Sequence, residues 1–263
     1  MRSLFAQVFG GLAVLLFSTI AFAQGMPEIP ESAPIPGEKT EIERYLDGIG
    51  KRRNEVSRED RVLKRGLLAP SEGDRQVFAN FLHQRKTGLI RLLPREVYDG
   101  ESYPTANPAK IRGGGSYYSF ANLTHVYGFG SDIGLEHNHF SVGFAGAAYG
   151  MLTNIGDVLI DGITLTDPRV QFLSSYKPPA LEHEARAEAR RFGARYGVMI
   201  DGVLYQRRVP VQQNTTYLLR SIDYDRTDVL VAIRVVRKDG DGSLIIAWKL
   251  LKSFPPTRLK QGK

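Results

Sequence analysis

The 263-residue sequence contains no cysteine. Disulfides are therefore excluded, and stability has to come from burying a core. Thiol nucleophiles and a lipid-modified N-terminal cysteine are excluded with them. Tryptophan occurs once, at Trp248, and histidine only five times. Several catalytic signatures are missing as well. No Gly-x-Ser-x-Gly elbow presents a serine nucleophile. Gly113-Gly114-Gly115 lacks the Lys-Ser/Thr that completes a phosphate-binding loop. His183-Glu184-Ala185-Arg186-Ala187 begins like a zinc-protease helix, but Ala187 stands where the second imidazole is needed. Asp239-Gly240-Asp241-Gly242 lacks the rest of a calcium loop and reads as a hairpin turn. Glycoside hydrolysis needs two facing carboxylates. Asp132, Glu136, Asp157, Asp161 and Asp167 are available, but no spacing selects a pair.

What the sequence does contain begins with a leader. Arg2 precedes a run of apolar and small residues from Leu4 to Ala23, which closes on Ala21-Phe22-Ala23. A short positive region, an apolar stretch and a small-x-small end are the marks of a secretory signal peptide, here residues 1–23. A retained membrane anchor is the competing reading, since about 20 apolar residues span a bilayer. The Ala-x-Ala site and the polar, proline-rich stretch after it favour cleavage, and no further membrane-spanning segment is expected. Removing 23 of 263 residues leaves 240, enough for a substantial core. The formal charge is +7, and the leader supplies only Arg2, so the mature chain keeps +6. That balance suggests attraction to an anionic envelope component. Nucleic acid is not expected as a partner, because no recognition motif is present.

Residues 24–37 carry Pro27, Pro30, Pro34 and Pro36 and read as an extended tether. A single domain is expected over 38–263, with a helical part at 38–88; a split near Pro178 is the alternative. Ile42, Tyr45, Leu46 and Ile49 follow helical spacing after Thr40, and a charged helix over 51–65 is expected to follow. Ser71-Glu72-Gly73-Asp74 is a capping-box pattern ahead of Val77, Phe78, Phe81 and Leu82. Leu89 to Leu93 reads as a strand or buried connector. From Ile111 to Gly150 there are nine glycines and eight Phe or Tyr residues, a density that favours short strands and tight turns. Strands are expected at Ser116–Phe120, Ile133–Phe144, Val158–Thr164 and Val170–Tyr176. Pro178-Pro179 introduce a helix near 180–192, with Leu181, Ala185, Ala189 and Phe192 as its apolar stripe. Val203–Val211, Thr215–Tyr224, Asp228–Lys238 and Ser243–Lys252 alternate as consecutive antiparallel strands. The fold class is α+β: N-terminal helices, a β-rich middle, one helix and a C-terminal antiparallel meander.

Two candidate sites follow. Pairing Tyr224 with Asp228 and Lys238 with Ser243 gives one apolar face: Val229, Val231, Ile233, Val235, Leu244, Ile246, Trp248 and Leu250. The opposite face is apolar too, but Arg220, Arg234 and Lys249 cluster in its middle. Unpaired charge on such a face is costly. Three arrangements answer that cost: pairing with Glu182, Glu184 or Glu188 of the helix, heads reaching water, or a pocket for a bound anion. The second site is Glu136-His137-Asn138-His139, where a strand would place His137 and His139 on one face, with His125 or Asp132 as a further metal ligand. No cofactor is implied. The aromatics Tyr117, Tyr118, Phe120, Tyr127, Phe129 and Tyr149 read mainly as core, with stacking on sugar rings as the alternative.

Three functional classes remain. A non-catalytic envelope or secreted binding protein leads, since no catalytic constellation stands out. An enzyme acting on an envelope or extracellular polymer, such as a metal-dependent hydrolase using Glu136, His137 and His139, is the alternative, and a structural or assembly role is the third. Intact-mass measurement of the exported protein is expected to place its N-terminus at Gln24; retention of residues 1–23 would contradict the leader assignment.

Overall fold

The computed structural model describes residues 66–98, 114–128, 130–144 and 146–261. The leader, the tether and the helical patterns at 40–65 lie outside them. The described residues form an α+β fold whose sheets are antiparallel. Ser71 caps α1 (Glu72–Val77) as its sequence pattern requires: its Oγ accepts from the Asp74 N–H, and the Asp74 carboxylate accepts from the Ser71 N–H, each at 3.1 Å. The helix breaks at Phe78 rather than running on. A second short helix, α2 (Ala79–Leu82), then turns Phe81 into the core.

The main sheet has the order β1 (Thr87–Leu92), β11 (Leu244–Phe254), β10 (Thr227–Lys238), β9 (Thr216–Asp223), β5 (Tyr149–Asn154). In β1, Gly88 lies opposite Trp248, and a Cβ at position 88 would stand 2.5 Å from the indole ring, so only glycine lets the two strands close there. A short helix, α3 (Arg95–Tyr98), follows β1 in the chain. A smaller sheet has the order β2 (Tyr117–Tyr118), β3 (Ile133–Glu136), β4 (His139–Ser141), β8 (Arg208–Pro210). β6 (Val198–Ile200) and β7 (Val203–Tyr205) form a separate hairpin.

Strands β9, β10 and β11 are apolar on both faces, so both faces must be covered. One face buries Val229, Val231, Ile233, Val235, Leu244, Ile246 and Trp248 against Ile133, Leu135, Phe140, Val142 and Val209 of the smaller sheet. The other face buries Leu218, Ile222, Leu230, Ala232 and Ala247 with residues of α4 (Pro168–Ser175) and α5 (Glu182–Gly193). Helix α5 covers this face with three of its four expected stripe residues: Ala185 and Phe192 are buried and Ala189 packs beside them, while Leu181 is the half-buried N-cap.

Two expected strands are each divided, Ile133–Phe144 into β3 and β4 and Val203–Val211 into β7 and β8 of different sheets, and two more are not strands. Residues 158–164 contain only a short 3-10 turn at Ile160–Gly162. Residues 170–176 belong to α4, where Asp167 caps the helix by accepting from the Arg169 N–H at 2.9 Å and Pro168 occupies the first turn. That start signal outweighs the strand-like Val170 and Phe172.

Arg220 of β9 ties this helix to the sheet. Its guanidinium binds Asp228 of β10 through two bonds of 2.9 and 2.8 Å. It also donates to the carbonyls of Leu173 and Tyr176 at the end of α4, each at 2.6 Å. The Phe254 ring centroid lies 3.8 Å from the guanidinium carbon. The two charged side chains are 1% and 2% exposed, so removing one strands the other in a nonpolar interior. Arg220→Ala is expected to lower stability by about 3–5 kcal/mol in urea denaturation. The double variant Arg220→Met with Asp228→Leu is expected to recover most of that loss, and equal losses in both would contradict the account.

Candidate functional site

The three cations expected to cluster do not line one pocket. The β9–β10 turn is Tyr224-Asp225-Arg226, so Asp223 pairs with Thr227, and Arg220 falls opposite Leu230 while Arg234 falls opposite Thr216. Arg220 and Arg234 thus sit four residues apart along the sheet, about 13 Å at 3.3 Å per residue, not two. Nor do they meet the α5 carboxylates. Arg220 is held by Asp228, as above. Arg234 donates to Asp157 at 2.6 Å and to the Val158 carbonyl at 2.9 Å. Lys249 donates to the Asp161 carbonyl at 2.9 Å. Glu182 instead holds Arg186, and Glu188 holds Arg191 and the Tyr176 hydroxyl.

The histidine site is likewise redistributed. His137 and Asn138 form the two-residue turn between β3 and β4, with φ of 48° and 57°, so His137 shares no strand face with His139. His139 Nδ1 lies 2.7 Å from the His137 carbonyl. His125 is elsewhere, with Nδ1 3.1 Å from the Tyr117 carbonyl; burial pulls its pKa down to about 4, against the pull of the Tyr117 and Gly114 carbonyls. Among the described residues, no three His, Cys, Asp or Glu side chains are grouped to hold a metal ion.

What the fold does assemble is a cleft of about 660 Å³ where the smaller sheet, α3 and the end of α5 come together. Arg95, Arg195, Arg207 and Arg208 line it, and Glu136 is the one carboxylate among its lining residues. Glu136 accepts from Arg95 at 2.7 Å and from the Tyr117 hydroxyl. Burial pushes the Glu136 carboxyl up, but these two donors and the charges of Arg95 and Arg208 outweigh it and hold it below the ordinary value. Burial and the same carboxylate push the Tyr117 phenol well up, so it stays protonated. Arg207 is braced by the Val142 carbonyl at 2.9 Å and by the Gly143 carbonyl. Arg208 donates to the Glu136 carbonyl at 3.3 Å.

Aromatic rings form the other wall. Tyr117 lies over Gly134 of β3, where a Cβ would stand 2.7 Å from its ring. Against Tyr117 stand Tyr127, with centroids 4.8 Å apart, and Phe144, at 5.1 Å. The Arg95 guanidinium is 5.4 Å from the Tyr127 centroid. Of the aromatics singled out in the sequence, Tyr117, Tyr118, Phe120 and Tyr149 are buried, whereas Tyr127 is 55% exposed. Phe129 lies outside the described residues. The sequence reading missed Arg95, Arg195, Arg207, Arg208 and Phe144. Arg207-Arg208 was a visible signal, two adjacent cations beside a strand, but only tertiary folding brings Arg95 and Arg195 to them.

Tyr127 sits on a loop pinned at both ends by buried carboxylates. Asp132 accepts from the Phe120 N–H at 2.7 Å at one end, and Asp223 accepts from the Gly130 N–H at 3.1 Å at the other. Burial raises the Asp132 pKa to about 6, against the hydrogen bonds from Ser221, Phe120, Ala121 and Ser119. Burial also raises Asp223, against Arg226 and the Gly130 N–H.

No known protein family matches the chain, and no curated protein matches it. Among solved structures it is similar to a Bacteroides fragilis protein described as a "putative lipoprotein", at 12% identity over 66% of this chain and 95% of that one, with a TM-score of 0.28. No helix among the described residues is long and apolar enough to cross a membrane.

The raised Asp132 pKa fixes the sign of a pH effect. The folded state binds a proton more tightly than the unfolded chain, whose ordinary value is 3.8. This group's contribution to stability is therefore complete below that value and lost as pH rises through about 6. Asp132→Asn carries no such charge. Its stability relative to the parent is expected to rise by about 1–3 kcal/mol from pH 4.5 to 7.5, by chemical denaturation at each pH. A difference independent of pH would contradict this.

Proposed function

We propose that this chain is an exported, non-catalytic binding protein of the envelope or its surroundings, and that the arginine-lined cleft takes an anionic ligand. Export rests on the leader at 1–23; the proline-rich residues 24–37 then tether a single domain. The carrying observation is charge imbalance: four arginines face one carboxylate in the same cleft. Arginine offers a planar fork of donors suited to carboxylate, phosphate or sulfate groups. The arginines of the main sheet differ from these, since Arg220 and Arg234 are paired with Asp228 and Asp157.

The enzymatic alternative places Glu136 and His139 in this cleft, but two features weigh against it. Paired-carboxylate chemistry needs a second acid, and Glu136 is alone among the lining residues. Its carboxylate is also engaged by Arg95 and Tyr117 and held ionised, which disfavours a general-acid role.

Binding of dextran sulfate to the mature protein tests this reading. Measurable affinity is expected at low salt, weakening as salt rises. Arg195→Ala with Arg208→Ala is expected to weaken it at least tenfold without changing the melting temperature, since both side chains are exposed. No binding at low salt, or full affinity in the double variant, would overturn the proposal.

A further inference from the structure

Resting on the anion-binding reading of this cleft, we infer that its ligand is an acidic saccharide, held by a ring on Tyr127 and an acidic group among Arg195, Arg207 and Arg208. An anion alone requires only the cations. The cleft carries three further features that a simple anion would leave unused.

The first is Tyr127. A large aromatic residue on a loop is normally turned inward, yet this one is 55% exposed at the cleft. Its ring is nonetheless held: the edge of Tyr117 meets it at 4.8 Å, the Arg95 guanidinium lies 5.4 Å from its centroid, and the loop is pinned by Asp132 and Asp223. A fixed, accessible ring gives a platform for the C–H face of a pyranose at low entropic cost. The second is a pair of further hydrogen-bonding side chains, Gln206 and His139, in the same lining. Gln206 and His139 both line the cleft, where a sugar hydroxyl can exchange hydrogen bonds with them. The third is size. At about 660 Å³ the cleft falls within the range of sites for ring-bearing ligands rather than single ions. Rings, hydroxyls and acidic groups on one molecule describe a uronic-acid or otherwise acidified oligosaccharide.

Isothermal titration of the mature protein distinguishes this inference from the reading beneath it. The probes are tetragalacturonate, tetraglutamate as a charge-matched chain without rings, neutral cellotetraose, and phosphatidylglycerol vesicles. Tetragalacturonate is expected to bind at least tenfold more tightly than tetraglutamate or cellotetraose. Tyr127→Ala is expected to remove that preference while leaving tetraglutamate affinity unchanged, and Tyr127→Trp to retain it. Arg208→Ala is expected to weaken both anions. Equal affinity for the two anions, a Tyr127→Ala variant that keeps the preference, or binding to vesicles alone would overturn the saccharide inference while leaving an anion site intact. Binding of no anionic probe would overturn the anion reading itself, and the saccharide inference with it.

Discussion

The main sheet is apolar on both faces, and every other part of the fold answers to that. A half-buried antiparallel sheet alternates apolar and polar residues, but β9 is buried along its whole length and β10 over most of it. Water must be kept from both sides. The smaller sheet closes one face around Trp248, and α4 and α5 close the other. The cleft forms where these two covers approach each other, which is why its walls draw on β2, β3, β4, β8, α3 and the end of α5.

This arrangement sorts the cations by their surroundings. A guanidinium on the covered face of the sheet has to be matched inside the chain, and Arg220 is matched completely, by one carboxylate and two helix-end carbonyls. Its role is architectural, a bond between layers. Arg195, Arg207 and Arg208 lie at the rim, where water meets part of their need. Arg207 is still braced by backbone carbonyls, so the charge there is fixed in position without being cancelled. Glu136 anchors Arg95 and Tyr117 and leaves the cleft positive.

Much of the frame was legible in the sequence. The alternation from Val229 to Leu250 gave the right faces even though the β9–β10 turn sits one residue earlier than expected. Moving a turn by one residue shifts the pairing by two, and a shift of two preserves the pleat. It does not preserve neighbours, so Arg220 moved away from Arg234 and Lys249, which keep their expected register, while the core survived. Helix α4 was hidden because Val170 and Phe172 mimic a strand, and the Asp167-Pro168 start had to outweigh them. The turn at His137 and Asn138 was hidden because it lacks the glycine that usually marks a two-residue hairpin. The cleft itself was the least legible part. Its arginines are spread from residue 95 to residue 208, and no local pattern announces that they converge.

The central claim is that this one concave surface, and no other part of the domain, meets the ligand. Amide and side-chain NMR of the labelled mature protein during a tetragalacturonate titration tests it most directly. The account predicts saturable shifts confined to Tyr127, Ser141, Arg195, Gln206 and Arg208 and their immediate neighbours. Shifts centred on the far side of the main sheet, around Arg234 and Lys249, would contradict it.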